Sequence, residues 1–577
     1  TFKVKMTTPT HPLGAIPHIG GVQFRVWAPK TDTIDVLLEP EERTVALDAE
    51  GDGYFGGFIE GISAGQRYRY RMNGGNRFPD PASRYQPDGI HGPSLVVDPK
   101  RYSWQDGDWD GISQEDLVFY ELHAGTFSPE GTFDGVRKRL GFLKDLGVTA
   151  IELMPVGDFP GRWNWGYDQA ALFAPSRTYG SPDDLRRLVD EAHQMGLAVF
   201  LDVIYNHLGP DGAYAAAFAP FFTDKYQTPW GDAINFDDEH SEGVRHFFIR
   251  NARHWLEEYH FDGLRLDATF AIEDHSETHF LAELHDSIAV ISRGPQRLLI
   301  AEDHRNENIL VRPRIEGGYG LDAVWVDDYH HQIRNMTAGD TQGYFGDYAG
   351  STMHDLAETI ERGWYFDGRP SPTTGKPRGS DPDPVALEQC VICIQNHDQI
   401  GNRPAGSRLT KDVSPAVYRA VSALLLFLPE LPLLFMGQEW AASSPFQYFT
   451  DHNDELGEQV RAGRMEEFEH FNDFDGTIPD PQDPETFERS KLRWKERENP
   501  PHANTLQLYK DLLELRSRMS GPVTAEAHSD TAISIGRSDF RLLVTIAEHE
   551  TVPAPENASL AWHSERGSYV QNSRPPR

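Results

Sequence analysis

The stretch SPDDLRRLVDEAHQMGLAVFLDVIYNH, residues 181–207, contains a complete helix-to-strand unit. Ser181 stands where a helix cap belongs, Leu185, Leu188, Val189 and Ala192 recur at helical spacing, and Gly196 stops the run. An unbroken apolar segment follows and turns polar only at its end, in DVIYNH (202–207). A strand that is apolar on both faces and is fed by an amphipathic helix belongs to a parallel sheet covered by crossover helices. Seven more segments of this kind can be read along the chain: LVFYEL (117–122), VTAIELMP (148–155), FDGLRLDA (261–268), RLLIAED (297–303), LDAVWVDD (321–328), VICIQNHD (391–398) and LPLLFMGQE (431–439). Eight parallel strands close a barrel. SEGVRHFFIRNARHWLEEYH (241–260) supplies a second crossover helix behind a serine cap.

The flanks read differently. Residues 13–98 alternate in short runs, GVQFRVWAP, TIDVLLE and QRYRYRMNG, broken by Gly, Pro and Asp, as in a β-sandwich. Its aromatics Trp27, Tyr54, Phe55, Tyr68 and Tyr70 read as core rather than as a sugar-stacking face. Two connections exceed what a crossover helix needs, an insertion at 205–240 and residues 329–388, and long barrel loops build clefts. Residues 470–504 read as a wrapping segment, Thr505–Met519 as a helix capped by Asn504, and the remainder as a short, irregular β-module whose last twenty or so residues are poorly ordered. The expected architecture is α/β. A (β/α)8 TIM barrel (101–504) follows an N-terminal immunoglobulin-like β-sandwich (1–100) and precedes a C-terminal helix and small β-domain (505–577).

The 577 residues carry a formal charge of −35, which repels phosphates and anionic membrane surfaces and leaves a neutral ligand as the easier partner. No apolar run reaches the ~18 residues of a spanning helix, and Thr1–Leu13 has no signal-like stretch. The two cysteines, Cys390 and Cys393, form C-x-x-C inside an apolar strand and read as core. With no disulfide framework, a cytoplasmic protein and a monomer are expected.

Barrel enzymes do their chemistry at the C-terminal strand ends, and here those ends carry Asp202, His207, Arg265, Asp267, Glu302, Asp303, His397 and Asp398, with Glu152 and the loop Trp163–Asp168 beside them. A lone Asp or His at such a position is ordinarily a cap or an ion-pair member. Asp267, Glu302 and Asp398 converging with Arg265, His207 and His397 on one face would be costly to bury without a function. Carboxylates interspersed with Trp and Tyr suit sugar chemistry, one protonating a glycosidic oxygen and another attacking the anomeric centre. A divalent-metal site is the rival use, but no H-x-H or H-E-x-x-H occurs, and Arg265 stands two residues from Asp267, favouring its ionised form. No P-loop, dinucleotide fingerprint or nucleophile-elbow G-x-S-x-G occurs at a strand-to-helix turn.

DVIYNH (202–207), GLRLDA (263–268), AED (301–303) and IQNHDQ (394–399) resemble the four ordered motifs of the α-amylase superfamily, glycoside hydrolase family 13. FYELHAGTFSPEGTF (119–133), ELMPVGDFPG with WNWGYD (152–168), AEDHRNEN (301–308), QNHDQIGNRPAGSRL (395–409) and FMGQEWAASSPFQYFTDH (435–452) narrow the resemblance to the maltooligosyltrehalose trehalohydrolases within it. The resemblance implies Asp267 as nucleophile, Glu302 as general acid/base with a pKa above a free glutamate, and Asp398 as the carboxylate that holds sugar hydroxyls. Arg265 would orient Asp267, His207 and His397 would bind hydroxyls, and Tyr167 would stack on the ring with Asp168 as a polar partner. The implied mechanism is a retaining double displacement, for which the two carboxyls lie about 5–5.5 Å apart. It also implies a pocket for the terminal 1,1-linked glucoses, sought among Asp327, Asp328, His330, His331, Trp440, Phe446, Gln447 and Tyr448. Asn206 corresponds to a calcium ligand in many α-amylases, but the insertion lacks a second carboxylate cluster, so no metal and no other cofactor is expected. The implied substrate is maltooligosyl trehalose, supplied by a maltooligosyltrehalose synthase. The alternatives are a glucan branching enzyme or other α-glucan hydrolase or transglycosylase with the same catalytic set, and a non-catalytic glycan-binding protein.

Overall fold

The computed structural model describes residues 12–291, 294–468, 478–547, 559–563 and 569–572. Eight parallel strands close the barrel in chain order: Phe119–Leu122, Ala150–Leu153, Ala198–Val203, Gly263–Leu266, Leu298–Glu302, Ala323–Trp325, Cys390–Cys393 and Leu431–Phe435. Seven lie inside segments expected to be strands, and the seventh in chain order, Cys390–Cys393, begins one residue before its expected segment. The register sets charged residues side by side, Glu121 opposite Glu152 and Asp202 opposite Arg265, and places Glu302 opposite Trp325. Cys390 and Cys393 are buried free thiols in the seventh strand.

Pro182–Gln194 forms the expected helix, its first turn closed by a reciprocal capping box between Ser181 and Asp184. Helix Ser241–Glu258 starts differently. Its cap is His240, in left-handed backbone (φ 66°) with no side-chain cap bond, so Ser241 is the first helical residue and not the cap.

In the N-terminal sandwich one sheet runs Gly14–His18, Gly21–Trp27, Tyr54–Glu60 and Asp48–Gly51, and the other Arg43–Ala46, Ile34–Glu39, Arg67–Met72 and Arg77–Phe78, with Ser94–Leu95 also paired to Arg67–Met72. All five singled-out aromatics are buried. Phe55, Tyr68 and Tyr70 fill the space between the sheets, while Trp27 and Tyr54 join the barrel's core. Tyr54 pairs with His246 at 2.7 Å, and Arg84 with Glu258 at 2.6 Å, both partners on helix Ser241–Glu258. The 205–240 insertion forms a short helix, Ala215–Phe218, and a hairpin, Phe222–Thr228 with Gly231–Ile234, whose turn presents Trp230.

Beyond the barrel lies a helix absent from the sequence reading, Asp454–Phe468. Residues 470–477 of the expected wrapping segment lie outside the described residues. The rest wraps back, with Leu492 N–H and Trp494 Nε1–H donating to the carbonyls of Thr126 and Phe127. The helix expected after the wrapping segment is His502–Arg516, so Asn504 lies within it and the cap position falls to Pro501. Arg516, near its end, is buried and donates to the carbonyl of Glu430 at 2.8 Å, closing the loop before the last barrel strand. The terminal module is more regular than expected. Val523–Ser529, Ala532–Arg537, Phe540–Thr545, Tyr569–Asn572 and Ser559–His563 form one five-stranded sheet, so part of the tail expected to be poorly ordered is paired in the sheet. Residues 564–568 and 573–577 of that tail lie outside the described residues. Among the described residues no helix is long and apolar enough to cross a membrane.

Candidate active site

The C-terminal strand ends open into a cleft of about 1250 Å³. Asp267 follows the fourth strand, Glu302 ends the fifth, and Asp398 lies in a helical turn, His397–Gly401, after the seventh. All three line the cleft, as do Tyr167, Asp168, His207, Arg265, His397 and Tyr448.

Arg265 organises the centre. Its Nη1 donates to both oxygens of Asp202 (2.9 and 2.8 Å) and to Asp267 Oδ1 (2.7 Å), while Nη2 lies 3.0 Å from Glu302 Oε2. The guanidinium also sits over the Trp325 ring, 4.5 Å from its centroid. The other oxygen of Asp267 receives Asn206 Nδ2 at 2.8 Å, and the same amide donates to the Asp267 carbonyl. Both Asp267 oxygens are thus engaged by donors, the arrangement of an ionised carboxylate. Glu302 is in the opposite state. Burial pushes its carboxyl up to about 8, with Asp267 and Asp398 adding to the rise and Arg265 and the Ala268 N–H (2.7 Å to Oε2) opposing it. Asn402 Nδ2 holds Asp398 Oδ1 at 2.7 Å.

The floor is a hydrogen-bonded layer. Tyr167 O–H donates to Asp202 Oδ2 at 2.6 Å and meets His397 Nε2 at 2.8 Å, the two rings stacked 5.1 Å apart. His397 Nδ1 and its backbone N–H both go to Glu121. His207 contacts Asn206 Oδ1 through Nδ1 and the Tyr167 carbonyl through Nε2, at 2.9 Å for the latter. Both imidazoles expected to bind sugar hydroxyls line the cleft, and their ring nitrogens contact protein groups. Asp168 is held by Asn164 Nδ2 at 2.6 Å; burial opposes its ionised form, but His452 outweighs that and keeps the carboxyl below its ordinary range.

The structure divides the residues proposed for the 1,1-linked glucoses. Asp327, His331 and Tyr448 line the cleft; Asp328, His330, Trp440, Phe446 and Gln447 do not. Asp328 is fully buried and accepts from Asn306 Nδ2 (2.7 Å), the N–H groups of Tyr365 (2.6 Å) and Phe366 (3.1 Å), and the Tyr348 hydroxyl, fastening the long 329–388 connection to the barrel. Trp440, also fully buried, packs between Phe142 and Trp494. Tyr448 edges Trp165, whose ring in turn edges His397, so it belongs to the Tyr167 end of the cleft. Further lining residues are ones sequence reasoning passed over. Trp230 stacks on His207 with centroids 4.7 Å apart, Phe270 meets His304 at 4.4 Å, and Tyr344, Tyr348 and Arg378 come from the long connection. Glu121 was also missed. Its signal was a charged residue in the middle of an otherwise apolar four-residue strand, FYEL, all of it buried.

Residues 12–99 match the family model described as carbohydrate-binding module 48, the isoamylase N-terminal domain, and residues 97–226 the model for the alpha amylase catalytic domain. The chain is 46% identical to the malto-oligosyltrehalose trehalohydrolase of Deinococcus radiodurans over 510 residues, 87% of this chain and 82% of that protein. The chain belongs to the malto-oligosyltrehalose trehalohydrolase family. A second trehalohydrolase, from Saccharolobus solfataricus, is 41% identical over 86% of this chain and 85% of its own length. A 36% identical crystal structure from Salmonella typhimurium, assigned as an alpha amylase, superimposes with a TM-score of 0.89 over 97% of this chain and 98% of its own. As a trehalohydrolase family member the chain is a glycoside hydrolase of the α-amylase superfamily, which sets aside the non-catalytic reading.

Proposed function

We propose that this chain hydrolyses the α-1,4-glucosidic bond next to the terminal trehalose of maltooligosyl trehalose, releasing trehalose and a maltooligosaccharide with retention of configuration. The observation that carries the reading is the asymmetry of two carboxyls joined by one guanidinium. Asp267 has donors on both oxygens and needs no proton, whereas Glu302, pushed up to about 8, holds one at neutral pH. This is the division of labour a retaining glycosidase requires.

In the first step Asp267 attacks the anomeric carbon while Glu302 gives its proton to the departing oxygen of trehalose. With the Ala268 N–H fixing Oε2, the proton is carried toward that oxygen on Oε1. In the second step the ionised Glu302 takes a proton from water, which displaces Asp267 and restores both groups. Asp398, held by Asn402, binds hydroxyls of the ring being cleaved, and Tyr167 stacks beneath it. A sugar ring over Tyr167 puts the leaving trehalose beyond Glu302, against Phe270, His304 and Trp230. The trehalohydrolases of D. radiodurans and S. solfataricus support this substrate over a branching reaction. A maltooligosyltrehalose synthase would supply it.

Proton NMR during the first minutes of maltotriosyl trehalose hydrolysis tests the chemistry. The α-anomer of maltotriose is expected to form first and then mutarotate; initial β-anomer would overturn the double displacement.

A further inference from the structure

Glu121 lies below the cleft, on the first barrel strand, 1% exposed and outside the residues that line the cavity. Its Oε2 accepts the backbone N–H of His397 at 3.0 Å and its Oε1 accepts Nδ1–H of the same residue. On the far side of the ring, Nε2 meets the Tyr167 hydroxyl. That hydroxyl has one proton, directed at Asp202 Oδ2 at 2.6 Å. Asp202 accepts from Arg265 on both oxygens and has no hydrogen to give back. The contact between Tyr167 and His397 therefore needs a proton on Nε2, and the contact with an ionised Glu121 needs one on Nδ1. Donor and acceptor accounting leaves a doubly protonated ring.

We propose that Glu121 is a positioning residue for the reaction: from beneath the cleft it fixes His397 as an imidazolium, and through Tyr167 and Asp202 it sets the charge and orientation of the groups that hold Asp267. Along this line charges alternate from Glu121 through His397, Asp202 and Arg265 to Asp267, with Tyr167 as the neutral link. Neighbouring Glu152 is the complementary case. Among the described residues neither of its buried oxygens has a hydrogen-bond partner, and burial, with Glu121 adding, pushes its carboxyl well above the ordinary range.

The groups facing the imidazole agree with this assignment. Burial disfavours the charged ring, but Glu121 and then Asp398 outweigh it and bring His397 up to about 9, with Arg265 opposing. His123, pushed down to about 4 mainly by burial, adds no second cation. Burial pushes Asp202 up to about 6, and both Arg265 and His397 hold it from rising further. Loss of the His397 charge thus raises Asp202, and Asp202 must be ionised to hold Arg265 and orient Tyr167.

The inference rests on the proposed nucleophile, Asp267, and is tested with the full chain on maltotriosyl trehalose. In Glu121→Gln the amide oxygen must face the His397 backbone N–H, so its NH2 meets Nδ1 and the ring becomes neutral with its proton on Nε2. The Tyr167 contact survives while the charge is lost. The expected results are a fall in kcat of about 10- to 100-fold, as for residues that orient an imidazole from behind, a KM within about threefold, and an acid limb of the pH–rate profile moved up by about half a unit or more. Glu121→Asp, which keeps the charge, is expected to leave that limb in place, and it carries the test if Glu121→Gln does not fold. In a His397→Asn background Glu121→Gln should cost less than about threefold, because its route of action is gone. Equal losses in both backgrounds, or a uniform fall with no movement of the acid limb, would overturn the proposal. Trehalose release by Asp267→Ala would instead remove the reading on which it rests. An inactive Asp267→Ala with a silent Glu121→Gln overturns this inference alone.

Discussion

Replacing Asn206 by Ala removes the two hydrogen bonds its amide gives Asp267, each 2.8 Å, one to the main-chain oxygen and one to Oδ2. A hydrogen bond to a charged group is worth about 1.5–3 kcal/mol. If the bond to the carboxylate is what aims Asp267, losing it lowers kcat by about 10- to 150-fold at 1.36 kcal/mol per decade. Arg265 still holds Oδ1, so the nucleophile stays charged and activity is not abolished. Asn206→Asp is the sharper variant, because it puts a carboxylate oxygen where a donor stood. The two acids then compete for one proton, and the loss relative to Asn206→Ala should grow as pH rises and shrink as it falls. The assay is kcat for trehalose release from maltotriosyl trehalose between pH 5 and 9, with calorimetric Tm reporting folding. Asn206→Ala within threefold of the parent, with Tm unchanged, would refute the reasoning.

The Glu302 carboxyl sets an alkaline limit. Its acid form exists below about 8 and is lost as pH rises through that value, so hydrolysis should fall above pH 8; a rate still rising at pH 9 contradicts the assignment. Because this folded-state value lies above the ordinary 4.5, stability is lost between those pH values, and Glu302→Gln should melt above the parent at pH 9 but not at pH 5. Trp440→Ala should destabilise by about 3–5 kcal/mol, as for other buried tryptophans, while leaving KM unchanged; a selective rise in KM would return Trp440 to the sugar pocket. Phe270→Ala should lose about 0.5–1.5 kcal/mol of stacking, roughly 2- to 12-fold in kcat/KM for maltotriosyl trehalose, with maltopentaose turnover unaffected, as comparison of the two substrates would show.

The barrel was legible because each strand is an apolar run closed by polar residues, and the three carboxyls because they stand at those polar ends. Boundaries set by backbone conformation were less so: His240 caps a helix in left-handed backbone, and Asn504 sits inside a helix that begins after Pro501. Position along the chain also misdirected the pocket. Asp327 and Asp328 are adjacent, but as neighbours in the first turn of a helix they point in different directions, one into the cleft and the other into the packing beneath it. Asn206 was read through its likeness to a calcium ligand, and only the fold brings its amide onto Asp267. Glu121 lies 276 residues from His397, and no local pattern announces that pairing.

The most direct test of the central claim incubates the purified chain separately with maltotriosyl trehalose and with maltopentaose, resolving products by anion-exchange chromatography. Trehalose and maltotriose from the first substrate, with little cleavage of the second, is the predicted result. Equal attack on both, or transfer to longer branched products, would contradict it.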